Sequence, residues 1–194
     1  MSAKKFLTIS LFAGMATFGC LATSSVAFAR EPVIMGNLGG IPISCSIYAN
    51  QVAVNGVHPN DNINTVNRVL GQPWSSTKYG GGVRNYYGGI LVTFIPIDPG
   101  NPTALDIVAR GKGEKTPDGV AIGMPAAVLS DVYGTADSVV TERHVASKLD
   151  AVKQEQHAKR LDKTIYEYNA NESLTMSFVV RNNVIEEIHI HQSE

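Results

Sequence analysis

One phrase, written twice, constrains this chain more than any other feature. Asn55 to Trp74 (NGVHPNDNINTVNRVLGQPW) and Asp118 to Asp137 (DGVAIGMPAAVLSDVYGTAD) superpose at a constant offset of 63 residues without a gap. Asn55-Gly56-Val57 falls on Asp118-Gly119-Val120, Val66 on Leu129, Val69 on Val132, and Gly71 on Gly134. Apolar residues recur three and four apart, the spacing of one helix face. Asn60 or Asp61 can cap the first helix, and Pro125 suits the first turn of the second. Gly71 and Gly134 stand where a helix stop favours glycine, and Pro73 forbids resumption after the first. Each phrase therefore predicts a turn, an extended entry, a short helix and a glycine stop.

Extended segments follow each phrase. Lys78 to Tyr87, Ile90 to Ile97 and Ala104 to Arg110 follow the first; Thr164 to Asn169, Leu174 to Arg181 and Val184 to His191 follow the second. Leu174, Met176, Phe178 and Val180 alternate with their neighbours as a half-buried strand should. Ile188 and Ile190 are expected to face inward, matching Leu105 and Ile107. The expected class is α+β, with two tandem repeats of a short helix followed by an antiparallel β-meander. Repeat one, with added N-terminal strands, spans 30–110, an exposed linker spans 111–118, and repeat two spans 119–194. Between its helix and its meander, repeat two carries an insertion, Ser138 to Lys163. Val145, Leu149, Val152 and Leu161 give it a thin apolar stripe, which predicts a helix over about 142–162.

The first 29 residues read as a secretory signal peptide. Lys4 and Lys5 supply a positive start, Phe6 to Gly19 is mostly apolar, and Ala27-Phe28-Ala29 presents small residues for a cut after Ala29. A cut at Cys20, as in a lipoprotein, would place Thr17-Phe18-Gly19 ahead of the cysteine and fits less well. Residues 30–194 lack an apolar run of roughly 20 residues, so no membrane-spanning helix is expected there. Losing Lys4 and Lys5 leaves 14 basic against 17 acidic residues. Such a balance lacks the footprint of a nucleic-acid binder. Cys45 is then the single cysteine, alternating with Ile41, Ile43 and Ile47, and reads as a small buried strand residue.

Ile122-Gly123-Met124, Val128 and Tyr133-Gly134 resemble the signature of small exported bacterial repeats. These include the SmpA/OmlA (BamE) lipoproteins and the β-lactamase inhibitor protein-like fold. The resemblance covers about 20 residues per repeat, the length of the matched phrase. It implies helices packed on an antiparallel sheet, and a role in binding another protein. The first copy departs from it, with Pro59-Asn60 in place of Ile-Gly, and no inhibitory loop residue matches.

No nucleophile elbow, phosphate loop or dinucleotide glycine motif is present. Gly80-Gly81-Gly82 reads as a hairpin tip. Around it gather Trp74, Tyr79, Tyr86 and Tyr87 with Lys78 and Arg84, and aromatics with arginine are common interface anchors. Trp74, Tyr79, Arg84 and Tyr86 are the candidate binding residues; the alternative is that they only cover the helix end and fill the sheet face. His189-Ile190-His191 is the sharpest chemical feature. Residues two apart on a strand share a face, and Glu187 joins them, so Glu187, His189 and His191 could bind zinc or copper. The alternative is a plain wet face opposite Ile188 and Ile190. The leading expectation is an exported, periplasmic or extracellular, non-catalytic module with no cofactor that binds another envelope or secreted protein. A metal or small-ligand binding protein built on the His-x-His strand is the second, and a hydrolase the third.

Overall fold

In the computed structural model, the structure describes residues 33–38, 41–98, 100–142 and 162–193. The expected signal peptide over 1–29 lies outside them, as do His144, His157 and most of the helix expected over 142–162.

Two strands, β1 (Val33–Leu38) and β2 (Ile41–Cys45), form a separate antiparallel hairpin. A 3-10 turn at Ala49–Gln51 and helix α1 (Ile63–Leu70) follow. Then come β3 (Ser75–Tyr79), β4 (Gly82–Tyr87), β5 (Ile90–Asp98) and β6 (Asn101–Ala109). Helix α2 (Ala127–Tyr133) precedes β7 (Ser138–Glu142), β8 (Lys163–Asn169), β9 (Leu174–Arg181) and β10 (Val184–Gln192). All eight strands from β3 to β10 join one sheet in the order β3-β4-β5-β6-β10-β9-β8-β7.

That sheet overturns the expected fold class. The chain is not α+β with tandem helix-then-meander repeats. Among the described residues it is mostly one eight-stranded antiparallel sheet with two short helices, of 8 and 7 residues. The reason is the seam between β6 and β10, where Ile188 pairs with Ala109 and His191 with Asp106. Strands from the two halves of the chain complete one another there, so neither half closes a layer of its own. Helices of two turns contribute single ridges to a common core. Val66 of α1 and Leu129 and Tyr133 of α2 bury against Val92, Phe94, Ile107, Phe178, Ile188 and Ile190. Tyr133, Tyr168 and Phe178 cluster within it, with ring centroids 5.3 to 5.9 Å apart, Tyr133 stacked on Phe178 and Tyr168 edge-on to Phe178.

Local details also differ from the sequence reading. The α1 cap is Asn62, whose side chain accepts from the Thr65 amide at 2.9 Å. Asp61 instead accepts from the His58 amide and closes the preceding turn. The extended piece read from Lys78 to Tyr87 is split at Gly80 and Gly81 into β3 and β4, with the glycine run at the hairpin tip as its composition indicates. Ser138–Glu142, read as the start of an insertion, is strand β7, paired along its length with β8. Its run of Val139, Val140 and Thr141 favours a pleated backbone. The linker read over 111–118 is largely exposed, with anchoring contacts at Thr116 and Asp118. Thr116 is buried against the Tyr133 hydroxyl at 2.7 Å, and Gln51 donates to Asp118 at 2.8 Å.

Two bulges set which side chains face inward. On β6 the register steps from Phe94↔Ala104 to Thr93↔Asp106, so Leu105 is the extra residue. Ala104, and not Leu105, therefore joins Ile107 in the core. On β10 the step from Ile185↔Val180 to Glu187↔Val179 makes Glu186 the extra residue and turns Ile185 inward. Beyond each bulge, alternation resumes. Asp106, Glu187, His189 and His191 all point to the sheet face opposite the one on which both helices pack.

Candidate functional site

Alternation on β10 places Glu187, His189 and His191 on one face, but the three do not meet. Glu187 turns to Arg110, accepting from its Nε at 2.6 Å. Its place beside the imidazoles is taken by Asp106 of β6. Strand pairing sets Asp106 directly opposite His191 and diagonal to His189. The His189 Nε2 lies 2.5 Å from Asp106 Oδ1, and the His191 Nδ1 lies 3.6 Å from the same oxygen. One ligand atom from each of the three residues lies within 4.8 Å of the other two. Solvent reaches the cluster, with side-chain exposures of 22% for Asp106, 36% for His189 and 53% for His191.

The charges in the cluster support one another. Burial alone would push the Asp106 carboxyl up, but the His189 hydrogen bond and the two imidazoles outweigh it and hold the group below its ordinary value. The same hydrogen bond raises His189 above the ordinary imidazole value, with burial opposing. Ser177 sits opposite His189, but its hydroxyl bonds the His189 carbonyl at 3.4 Å and not the ring. This serine is thus not arranged as a nucleophile for the His189–Asp106 pair.

The sequence reading missed Asp106. Its one available signal was its position in the expected Ala104–Arg110 strand, one residue before the inward Ile107. That placed it on the outer face, but not next to any particular histidine.

The aromatic candidates divide between two places. Tyr79, Arg84 and Tyr86 share the open face, because Tyr79 pairs with Gly82, Thr77 with Arg84 and Ser75 with Tyr86. Tyr79 faces a glycine and Arg84 lies on the diagonal, so the guanidinium settles 3.7 Å from the Tyr79 ring centroid. Arg84 Nε also donates to Thr93 Oγ1 at 3.2 Å, and Thr93 pairs with Asp106. A single cross-strand row thus runs Arg84, Thr93, Asp106, His191, Thr175. Trp74 lies away from the glycine tip. It sits at the other end of β3, its amide bonded to the Tyr86 carbonyl at 2.7 Å and its ring over Gly88. It is 84% exposed. Tyr87 is not a surface residue at all. It is buried on the helix side, donating to Asn67 at 2.7 Å and accepting from Asn85 at 3.1 Å.

A shallow depression at the β3–β4 tip is lined by Ser76, Lys78, Tyr79, the three tip glycines and Pro96. It does not include Asp106, His189 or His191.

No family model matches the chain, and no curated protein matches it. Among solved structures, the chain is similar to an extracellular protein containing a SCP domain from Bacillus anthracis str. Ames. The two share 7% sequence identity with a TM-score of 0.45, over 79% of this chain and 48% of that one. The chain therefore spans about half the length of that protein.

Proposed function

We propose that this chain is an exported, non-catalytic binding module that engages another envelope or secreted protein. The contact surface is the Tyr79–Arg84–Tyr86 face, with Trp74 at its rim. The observation that carries this reading is the exposure of three large aromatic side chains, Trp74, Tyr79 and Tyr86, along the outer strand pair β3–β4. Tryptophan, tyrosine and arginine are the residues that most often anchor protein interfaces, because each buries a large, stiff surface and still satisfies a polar tip. Arg84 is already held over Tyr79, so ordering it against a partner costs little rotamer freedom. The resemblance of the Ile122-Gly123-Met124 phrase to exported protein-binding families points the same way by analogy.

Trp74 is the single tryptophan of the chain, so its fluorescence reports on this surface alone. The test is capture from envelope extract on immobilised protein, repeated with Trp74→Ala, Tyr86→Ala and, as a remote control, Glu172→Ala. A partner held by the wild type and the control but lost from both aromatic variants is expected. That purified partner should also blue-shift the Trp74 emission on titration. Equal retention by all four proteins would place the contact elsewhere and end this reading.

A further inference from the structure

We propose that Asp106, His189 and His191 form a binding site for a divalent transition-metal ion, with zinc the best fit, on the open face of the sheet. This site is independent of the protein-binding reading. It also differs from the set read in the sequence, because Asp106 of a distant strand replaces Glu187.

Three features carry it. The first is the donor set: two imidazole nitrogens and one carboxylate oxygen are a recurrent three-residue zinc set that leaves a fourth position for water or another ligand. Imidazole also suits copper and nickel, whereas an oxygen-only cation such as calcium gains nothing from two histidines.

The second is spacing. Zinc bonds to nitrogen and oxygen of about 2.0–2.1 Å in tetrahedral geometry place neighbouring ligand atoms about 3.3 Å apart. Here the Asp106–His189 separation is 2.5 Å, the Asp106–His191 separation 3.6 Å, and all three atoms fall within 4.8 Å. Opening the first by under an ångström and closing the largest by at most about one and a half is on the scale of side-chain rotation.

The third is the frame. The ligands sit on two central, directly paired strands, so their backbones are fixed by ladders on both sides. His191 and Asp106 are register partners, and His189 reaches the same oxygen along the diagonal. Around them stand Thr93 and Thr175, on the flanking strands, and Arg110 is drawn off by Glu187. The arginine charge that would repel a cation is thus partly neutralised.

The test is isothermal titration of Zn2+ alone, as its chloride, into the full-length chain as processed by the expression host. His189→Gln, His191→Gln and Asp106→Asn are compared with Glu172→Gln, and far-UV circular dichroism checks each fold. One equivalent of zinc is expected to bind the wild type. Each of the three ligand variants should weaken binding at least tenfold, and Glu172→Gln, an exposed carboxylate in the turn before β9, should stay within about threefold. Co2+ added in place of zinc should give the visible absorption of a four-coordinate ion, lost in His191→Gln. The proposal is overturned if the wild type takes up no zinc. It is equally overturned if the three ligand variants bind as the wild type does, because the ion then sits elsewhere. Should one variant fail the fold check, the remaining two decide the question.

Discussion

His189 and Asp106 lie 83 residues apart in the chain, yet the imidazole Nε2 and the carboxylate Oδ1 are 2.5 Å from each other. The contact runs diagonally across the seam where the two halves of the sheet join. Both groups are partly open to water, so screening limits what the pair contributes. In the presence of a chelator, Asp106→Asn is expected to lower stability by less than about 1 kcal/mol. Urea unfolding followed by far-UV circular dichroism measures this; Trp74 is too exposed to report on folding. A loss of several kcal/mol would mean that the cluster holds the seam together, which its exposure argues against.

A buried polar chain under α1 should be more costly to break. The Tyr87 hydroxyl donates to Asn67 and accepts from Asn85, whose own Oδ1 has no partner. Tyr87→Phe removes the shared hydroxyl, leaving the buried Asn85 amide and the half-buried Asn67 side chain without that partner. The expected loss is about 1–3 kcal/mol, the cost of leaving buried polar groups unpaired. Chemical unfolding of the variant checks it, and a neutral result would mean that water enters the site.

Alkaline pH should unfold the protein through its tyrosine core. Burial pushes the Tyr168 phenol up from 10.0 to about 12, and raises Tyr133 further still. A folded-state value above the unfolded one means that the folded form keeps its proton more tightly. The stabilisation is complete below pH 10 and is lost as pH rises through about 12. A stability profile over that window, with phenolate absorbance read alongside, should show late-ionising tyrosines, Tyr133 and Tyr168 among them and Tyr87, which burial also raises, joining them. Their ionisation should coincide with unfolding. All seven tyrosines titrating together near pH 10 in the folded protein would contradict it.

Gly82 allows little substitution. A Cβ built there would lie 2.0 Å from the Phe94 carbonyl oxygen, which is rigid backbone of the next strand. Gly82→Ala must push β4 away from β5 and is expected to cost about 1–3 kcal/mol, the range of overpacking. Hydrogen exchange should then show β3 and β4 loosening ahead of the central strands. Unchanged protection across β3 and β4 would show that the strand end adjusts without strain. Since Gly82 also leaves space for Arg84 over Tyr79, the variant tests the arrangement of the proposed contact face as well.

Much of the local structure was legible in the residues. Alternation placed Leu174, Met176, Phe178 and Val180 inward on β9, and put His189 and His191 on a shared outer face. Asn55-Gly56 and Asp118-Gly119 announced turns, and both glycines have positive φ, a backbone region open to glycine at little cost. The repeated phrase marked where both helices form and stop. These features depend on neighbours a few positions away, and sequence reports such neighbours directly.

What only the tertiary structure decided was which strand lies beside which. Periodicity tells a side chain its face, but not its companion across the ladder. The pairing of β6 with β10 turned two expected helix-and-meander units into one eight-stranded sheet. It also brought Asp106 to His189 and left Glu187 to Arg110. The bulges at Leu105 and Glu186 exchanged inward for outward positions in a way no alternating pattern announces. Long-range pairing is chosen by the sum of core burial over the whole sheet, so it belongs to the folded molecule and not to any short stretch of the chain.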